Sequence, residues 1–358
     1  MNESMYNQYS STKLPSVINK RLYIHILLFV VTFFSTALAG VQWANKDFTE
    51  LLNWHYGLTY AVLIMTFLTA HEFGHYIAAR LHKIDSTLPF YIPIPIPYIN
   101  FFGTMGAVIK TRTPFTSRKA LFDVGVAGPI AGFVVSFTFL CIGLLTLPSK
   151  EFIYSIHPEY LRLAGGAIPA TGLHFGDTLL YEIMTKLLAN PNGFLPPMNE
   201  IYHYPFLNVG WFGLFVTALN LIPIGQLDGG HVVYAMFGKK WHSLIARVFW
   251  WTMLIIGFGT LLSLLHESLQ TDYPGKFYIF FQDLLYNPLN WLKHNFPWYM
   301  EGWGGWLFWA LITKFLIKLD HPVIEDDEKL GTIRTILGWC AIAILILCFS
   351  YNGIYFLE

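Results

Sequence analysis

Two histidines four residues apart, with a glutamate directly after the first, stand in the stretch FLTAHEFGHYIAARL at residues 67–81. On a helix, residues i and i+4 share a face, so His71 and His75 can present both imidazoles to one ion. The order His-Glu-x-x-His is that of a helical zinc site. Zinc lowers the pKa of its water to about 7, which supplies hydroxide at neutral pH. Glu72 is the candidate general base: it would take a proton from that water and hand it to a leaving amine. The bland alternative is a pair of core histidines satisfied by hydrogen bonds. The setting argues against it, because residues 58–70 carry no charge, and ionisable groups at membrane depth are costly and rare.

A catalytic zinc needs a third protein ligand and one open position. The stretch NLIPIGQLDGGH, residues 220–231, is a second polar island in an apolar run, and Asp228 is the only carboxylate between Glu200 and Glu267. Counting back from the ends of the two runs at 1.5 Å per residue puts His75 about 9 Å and Asp228 about 12 Å below the same membrane face. Pro223 and Gly225 break the helix just before Asp228. Non-helical backbone at that depth is tolerated only where protein buries it or where it lines a polar cavity. Asn220 either donates to a substrate carbonyl or oxyanion or hydrogen-bonds the broken backbone; the sequence leaves both open. His231 reads as a supporting group rather than a ligand.

The elements that must position these groups are set by composition. Of 358 residues, 54% are hydrophobic and 12% charged, about half the charge of a soluble domain. This is a membrane composition. The net charge of zero gives no reason to expect a nucleic-acid partner. Cys141, Cys340 and Cys348 lie in apolar runs without a CxxC pair, so no disulfide framework is expected. Apolar runs near 22–40, 57–81, 120–147, 207–236, 243–265, 302–319 and 333–353 are each close to spanning length. The reading is an all-α polytopic membrane protein of about six to seven transmembrane helices, with a flexible tail at 1–20 and one domain at 21–358. The first run reads as a retained helix, although an Ala-x-Ala pattern at Ala37 and Ala39 is compatible with a cleaved signal. With the N-terminus in the cytoplasm, sixteen of the 22 Lys and Arg fall on that side, as the positive-inside bias requires.

Three segments are not expected to span. Residues 88–114 carry Pro89, Pro93, Pro95 and Pro97 and then Gly103 and Gly106, a pattern hostile to helix interiors and central strands. They read as a membrane-associated β-hairpin or bent loop, with an edge strand near 101–110 able to pair with an unwound peptide. Residues 148–206 contain one amphipathic helix, near 176–190, which Asp177 could cap. Residues 266–301 read as interfacial. The run Glu325-Asp326-Asp327-Glu328 reads as a solvated turn. His174, His203, His242, His266, His294 and His321 have no partner at ligand spacing and read as surface or interfacial. The small residues of GVAGPIAG, 125–132, read as helix packing.

At this point the chain resembles the site-2 protease family of intramembrane zinc metalloproteases, peptidase family M50. HEFGH and NLIPIGQLDGGH carry the resemblance. FDVGVAGPIAGF (122–133), FFGTMGAVIKTRTP (101–114) and LDHPVIEDDEKLG (319–331) extend it over roughly residues 57–353. GQLDGGH resembles the PDZ-lacking subgroup with plastid, cyanobacterial and other bacterial members. The resemblance implies a hydrolase of peptide bonds in or near the transmembrane segments of single-span membrane proteins, as in regulated intramembrane proteolysis. It implies one Zn2+ per chain held by His71, His75 and Asp228, with Glu72 as catalytic base and Asn220 near the scissile carbonyl. It implies a multi-pass protein in the lipid bilayer. Because the tail, with Glu3 near its start, makes a poor transit peptide, a bacterial cytoplasmic membrane is expected. The competing readings are a membrane metal transporter and an inactive relative acting as chaperone or adaptor. No internal repeat supports the transporter, and every residue of the motif is present, which speaks against the inactive relative.

Overall fold

The computed structural model describes residues 16–95, 102–271, 275–324, 326 and 328–357. Residues 1–15 of the expected tail at 1–20, Pro97 with the rest of 96–101, and Glu325 and Asp327 lie outside the described residues; residues 16–20 of that tail belong to the first helix. In chain order the helices are α1 (Ser16–Trp43), α2 (Trp54–Leu81), α3 (Arg118–Leu145), α4 (Glu151–Ile156), α5 (Leu179–Leu188), α6 (Pro205–Asn220), α7 (Asp228–Ser268), α8 (Lys276–Asn295), α9 (Pro297–Met300), α10 (Gly305–Ile312) and α11 (Thr332–Cys348). The strands β1 (Phe90–Pro93) and β2 (Thr104–Val108) pair antiparallel, as do β3 (Gly172–Phe175) and β4 (Ile354–Leu357).

Among the described residues four helical segments are long and apolar enough to cross a membrane: Leu22–Trp43, Leu51–Leu81, Arg118–Leu145 and Asp228–Ser268. The expected runs at 302–319 and 333–353 take the form of shorter apolar helices, Gly305–Ile317 and Thr332–Cys348. The run at 207–236 is not one helix. It divides into α6, a loop at 221–227 and the start of α7, because Pro223 has no amide hydrogen to donate to a helical ladder. Within α7 the backbone leaves the helix at Gly238, with φ 79° and ψ 174°, a conformation that glycine adopts without steric cost. The runs 207–236 and 243–265 are therefore redistributed over α6 and the two arms of α7.

The core is a packed set of α2, α3 and α6, with α1 against α2 and α7 against α3. α1 and α2 approach closely: a Cβ on Gly57 would lie 1.9 Å from the Ala37 carbonyl oxygen. Small residues allow this contact between apolar helices. The hairpin leans on α1, where Ser35 Oγ donates to the Gly103 carbonyl at 2.6 Å. The chain end also returns to the body of the protein, because β4 supplies a partner for β3, a pairing that no local pattern announced.

Two expectations need correction. Helix α5 is capped by Thr178, whose Oγ1 accepts from the Tyr181 N–H at 3.1 Å, not by Asp177. Thr178 has the extended backbone of an N-cap, which lets its side chain fold back onto the first turn. The acidic turn is more than a solvated face. Asp326 accepts from the Arg118 N–H at 3.0 Å, and Glu328 pairs with Lys119 at 2.6 Å. Asp326 thus meets the positive end of the α3 dipole, while Glu328 makes a side-chain ion pair beside it. Nearby, Asp123 joins α3 to both neighbours, accepting two hydrogen bonds from Arg334 of α11 at 2.8 Å and contacting His82 beyond α2 at 2.7 Å.

Candidate metal centre

His71 and His75 lie one turn apart on α2 and both are buried. Asp228 is the first residue of α7, where the helix dipole favours a negative charge. The loop at 221–227 brings it there. Gly225 takes φ 54° and its N–H donates to the Leu319 carbonyl at 3.1 Å, so the turn is held from outside by the segment after α10. The resulting distances are 3.1 Å between the two Nε2 atoms, and 3.5 and 3.3 Å from Asp228 Oδ2 to His71 and His75 Nε2. Ligands on a tetrahedral zinc with bonds of 2.0–2.1 Å stand roughly 3.3 Å apart. These three atoms therefore suit one ion.

The tautomer of His75 is set by its surroundings. Its Nδ1–H donates to the Val124 carbonyl at 2.7 Å, which leaves Nε2 with a lone pair aimed at the common point. A histidine ligand is oriented in this way by a second partner on its other nitrogen. His71 Nδ1 is buried with no hydrogen-bond partner among the described residues. The His71 and His75 rings, Glu72, Asn220, Asp228 and His231 line one cavity of about 370 Å³. Asn220 ends α6, and its Nδ2 is 3.4 Å from His71 Nε2. All five site residues named from the sequence are thus brought together.

The structure adds residues that spacing arguments did not reach. Gly125, Gly128 and Gly132 of α3 do not merely pack helix on helix. A Cβ on Gly128 would lie 2.1 Å from His75 Nε2; one on Gly125, 2.6 Å from His231 Cβ; one on Gly132, 3.1 Å from His71 Nδ1. The i, i+3, i+7 spacing of these glycines was the available signal, since it marks one helical stripe. His231 is backed by His321: the His321 Nδ1–H donates to the Pro322 carbonyl at 2.6 Å, so its Nε2 accepts from His231 Nδ1–H at 2.8 Å. The reading of scattered histidines as surface groups therefore fails for His203, His242, His266 and His321, which are all buried. Sequence distance hid their partners. His294 is exposed and His174 partly buried.

A membrane helical bundle that gathers His-Glu-x-x-His and a remote aspartate around one point is the framework of a membrane-embedded metallopeptidase centre. The chain belongs to peptidase family M50, whose model matches residues 59–264. It is similar to the probable zinc metalloprotease EGY1, chloroplastic, of Oryza sativa subsp. japonica, at 32% identity over 170 residues, 47% of this chain and 26% of that protein. It is similar to the probable zinc metalloprotease EGY2, chloroplastic, of Oryza sativa subsp. indica, at 31% over 228 residues, 61% of this chain and 37% of that protein. The EGY1 protein of Arabidopsis thaliana is 29% identical over 183 residues, 51% of this chain and 30% of that protein. The chain thus matches between 26% and 37% of the length of these relatives. No solved structure matches it.

Proposed function

We propose that this protein is an intramembrane zinc endopeptidase that cuts peptide bonds in or beside the transmembrane segments of single-span membrane proteins, the reaction of regulated intramembrane proteolysis. The observation that carries this reading is the convergence of three ligand atoms within 3.5 Å, at the wall of a cavity that also holds Glu72 and Asn220. His71, His75 and Asp228 would hold the ion, which when bound supplies Lewis-acid polarisation of the scissile carbonyl. Glu72 takes a proton from the attacking water as the new C–O bond forms. It then delivers that proton to the amide nitrogen as the C–N bond breaks. Asn220 Nδ2 donates to the oxygen on which negative charge develops.

The substrate must be extended where it is cut, because a helical peptide bond is shielded. β2 pairs with β1 along one edge, and Ala107, Val108 and Ile109 line the cavity near Glu72. The edge of β2 away from β1 supports strand pairing with an unwound substrate. Ile109→Pro removes the backbone N–H that hydrogen-bonds Glu72 beside that strand and is expected to lower kcat/KM about tenfold, on the order of one lost hydrogen bond in a closed site, with zinc content unchanged. Unaltered kinetics for a transmembrane substrate would show that this backbone contact does not orient Glu72.

We assign the His71 end of the bundle to the cytoplasmic face, a reading supported by Arg80, Lys110, Arg118 and Lys119 in the flanking segments and by the positive-inside bias. The bacterial cytoplasmic membrane expected from the tail gains no support from the relatives, whose printed names are chloroplastic. The function is tested with purified protein in liposomes together with a single-span substrate. Removing the metal with 1,10-phenanthroline should end cleavage, and added zinc should restore it. Cleavage by protein shown to be metal-free would overturn the reading.

A further inference from the structure

A second convergence of ligand atoms lies away from the first, where α1 ends and the segment between α3 and α6 folds over the bundle. His157 follows α4, Glu200 precedes a 3-10 turn at Ile201–His203, and His203 closes that turn. Residues i and i+3 of a 3-10 turn eclipse one another, so Glu200 and His203 point the same way. His157 Nε2 is 2.9 Å from His203 Nε2, and Glu200 Oε2 is 3.4 Å from His203 Nε2 and 4.0 Å from His157 Nε2. The spread brackets the ligand spacing expected around zinc, roughly 3.3 Å. It resembles the His71, His75 and Asp228 set, at 3.1, 3.3 and 3.5 Å.

The outer partners settle where the protons are. His203 Nδ1 is 2.6 Å from the Trp43 carbonyl, an acceptor only, so this nitrogen carries the hydrogen. His157 Nδ1 is 2.7 Å from the Glu159 carboxylate and is a donor for the same reason. Both Nε2 atoms therefore present lone pairs to each other. Glu200 Oε1 accepts from the Tyr160 hydroxyl at 2.8 Å, while Oε2 is buried without a hydrogen-bond partner. Three converging acceptor atoms repel unless a cation lies among them. A single proton would bridge one pair and leave the third atom unsatisfied; a divalent ion satisfies all three at once.

We propose that His157, Glu200 and His203 form a second divalent-metal site, of zinc type, that clips the segment between α3 and α6 to the end of α1. Two imidazoles and one carboxylate are the donors that zinc accepts. Each ligand has an oriented outer partner: the Trp43 carbonyl, Glu159 and Tyr160. The site raises the expected zinc count from one per chain to two. Its ligands come from two stretches of chain, and the Trp43 carbonyl behind His203 ties them to the end of α1, so its role is structural. An ion bound only by the folded form raises stability by mass action.

The test counts metal in the purified full-length protein by inductively coupled plasma mass spectrometry, after exchange against a weak zinc chelator. Wild type should retain two ions, and His157→Ala one. His75→Ala should lose the other ion, so failure at the first centre and failure here leave different counts. His157 is the least enclosed of the three, with a side chain 14% exposed, and its removal is the least disruptive to folding. A second measurement covers a poorly folding variant. In the His75→Ala background, a strong chelator should lower the thermal midpoint by several degrees, and should have no such effect once His157→Ala is added. One ion in wild type with an unchanged count in His157→Ala would overturn the proposal, and two ions in both would do the same. A cluster that binds no metal and instead titrates as a shared proton would also overturn it.

Discussion

Glu72→Gln is expected to reduce cleavage of a transmembrane substrate by about 10²- to 10⁴-fold, the usual range for loss of a general acid–base group. The zinc content should not change, because the three converging atoms belong to His71, His75 and Asp228. Glutamine has nearly the same volume in this buried position and keeps a hydrogen-bonding oxygen, so the fold should be retained. The measurement pairs single-turnover cleavage in liposomes with a metal count on the same preparation. Comparative membrane proteomics of wild type against Glu72→Gln should show uncut stubs of single-span proteins. The variant also separates the classes of function. A metal transporter would show altered ion flux and no proteolysis to lose, and an adaptor would be indifferent to Glu72. Cleavage within threefold of wild type would remove Glu72 from the role of base.

Gly128→Ala tests whether α3 shapes the centre. By helix propensity alone, alanine in a helix interior is better than glycine by about 1 kcal/mol. The added methyl would nevertheless fall 2.1 Å from His75 Nε2 and 2.4 Å from Cδ2 and Cε1. The obstacle is an imidazole locked by its hydrogen bond to the Val124 carbonyl, not a free side-chain end. The ring must therefore swing away from the common point, and a displacement near 1 Å is enough to cost about 10²-fold in function. Zinc affinity, measured by competition with a chromogenic chelator, should fall about 10- to 100-fold, as for disrupted outer partners of a ligand. Gly132→Ala, with its Cβ 3.1 Å from His71 Nδ1, should be milder. An affinity for Gly128→Ala within threefold of wild type would show that α3 can yield and does not constrain His75.

Local patterns carried part of this result. His71, Glu72 and His75 were legible because i, i+4 periodicity alone places them on one face, whatever the surrounding fold. Asp228 could be paired with them because burial in an apolar run removes nearly every competing carboxylate, and because depth along two helices can be counted. Membrane character, the broken helix at Pro223 and Gly225, and a hairpin or bent loop within 88–114 are properties of composition and backbone chemistry, and they too could be read. The span count could not. Whether 207–236 is one helix or two depends on where the chain turns, and Gly238, unremarked in the sequence, moves the break by its backbone conformation.

What remained belongs to contacts between residues far apart in the chain. Nothing local says that Gly128 leaves room for His75, that His321 supports His231, or that β4 closes on β3. His157, Glu200 and His203 show the division most plainly: 43 residues separate the first two, so ligand spacing along the chain conveys nothing. Linear order by itself determined the candidate metal-binding helix, the remote aspartate and the bilayer as solvent, because each follows from periodicity and hydropathy. The tertiary structure alone decided which carbonyl, glycine or second histidine stands behind each ligand, because such neighbours are selected by close packing of side chains and not by the period of any single helix.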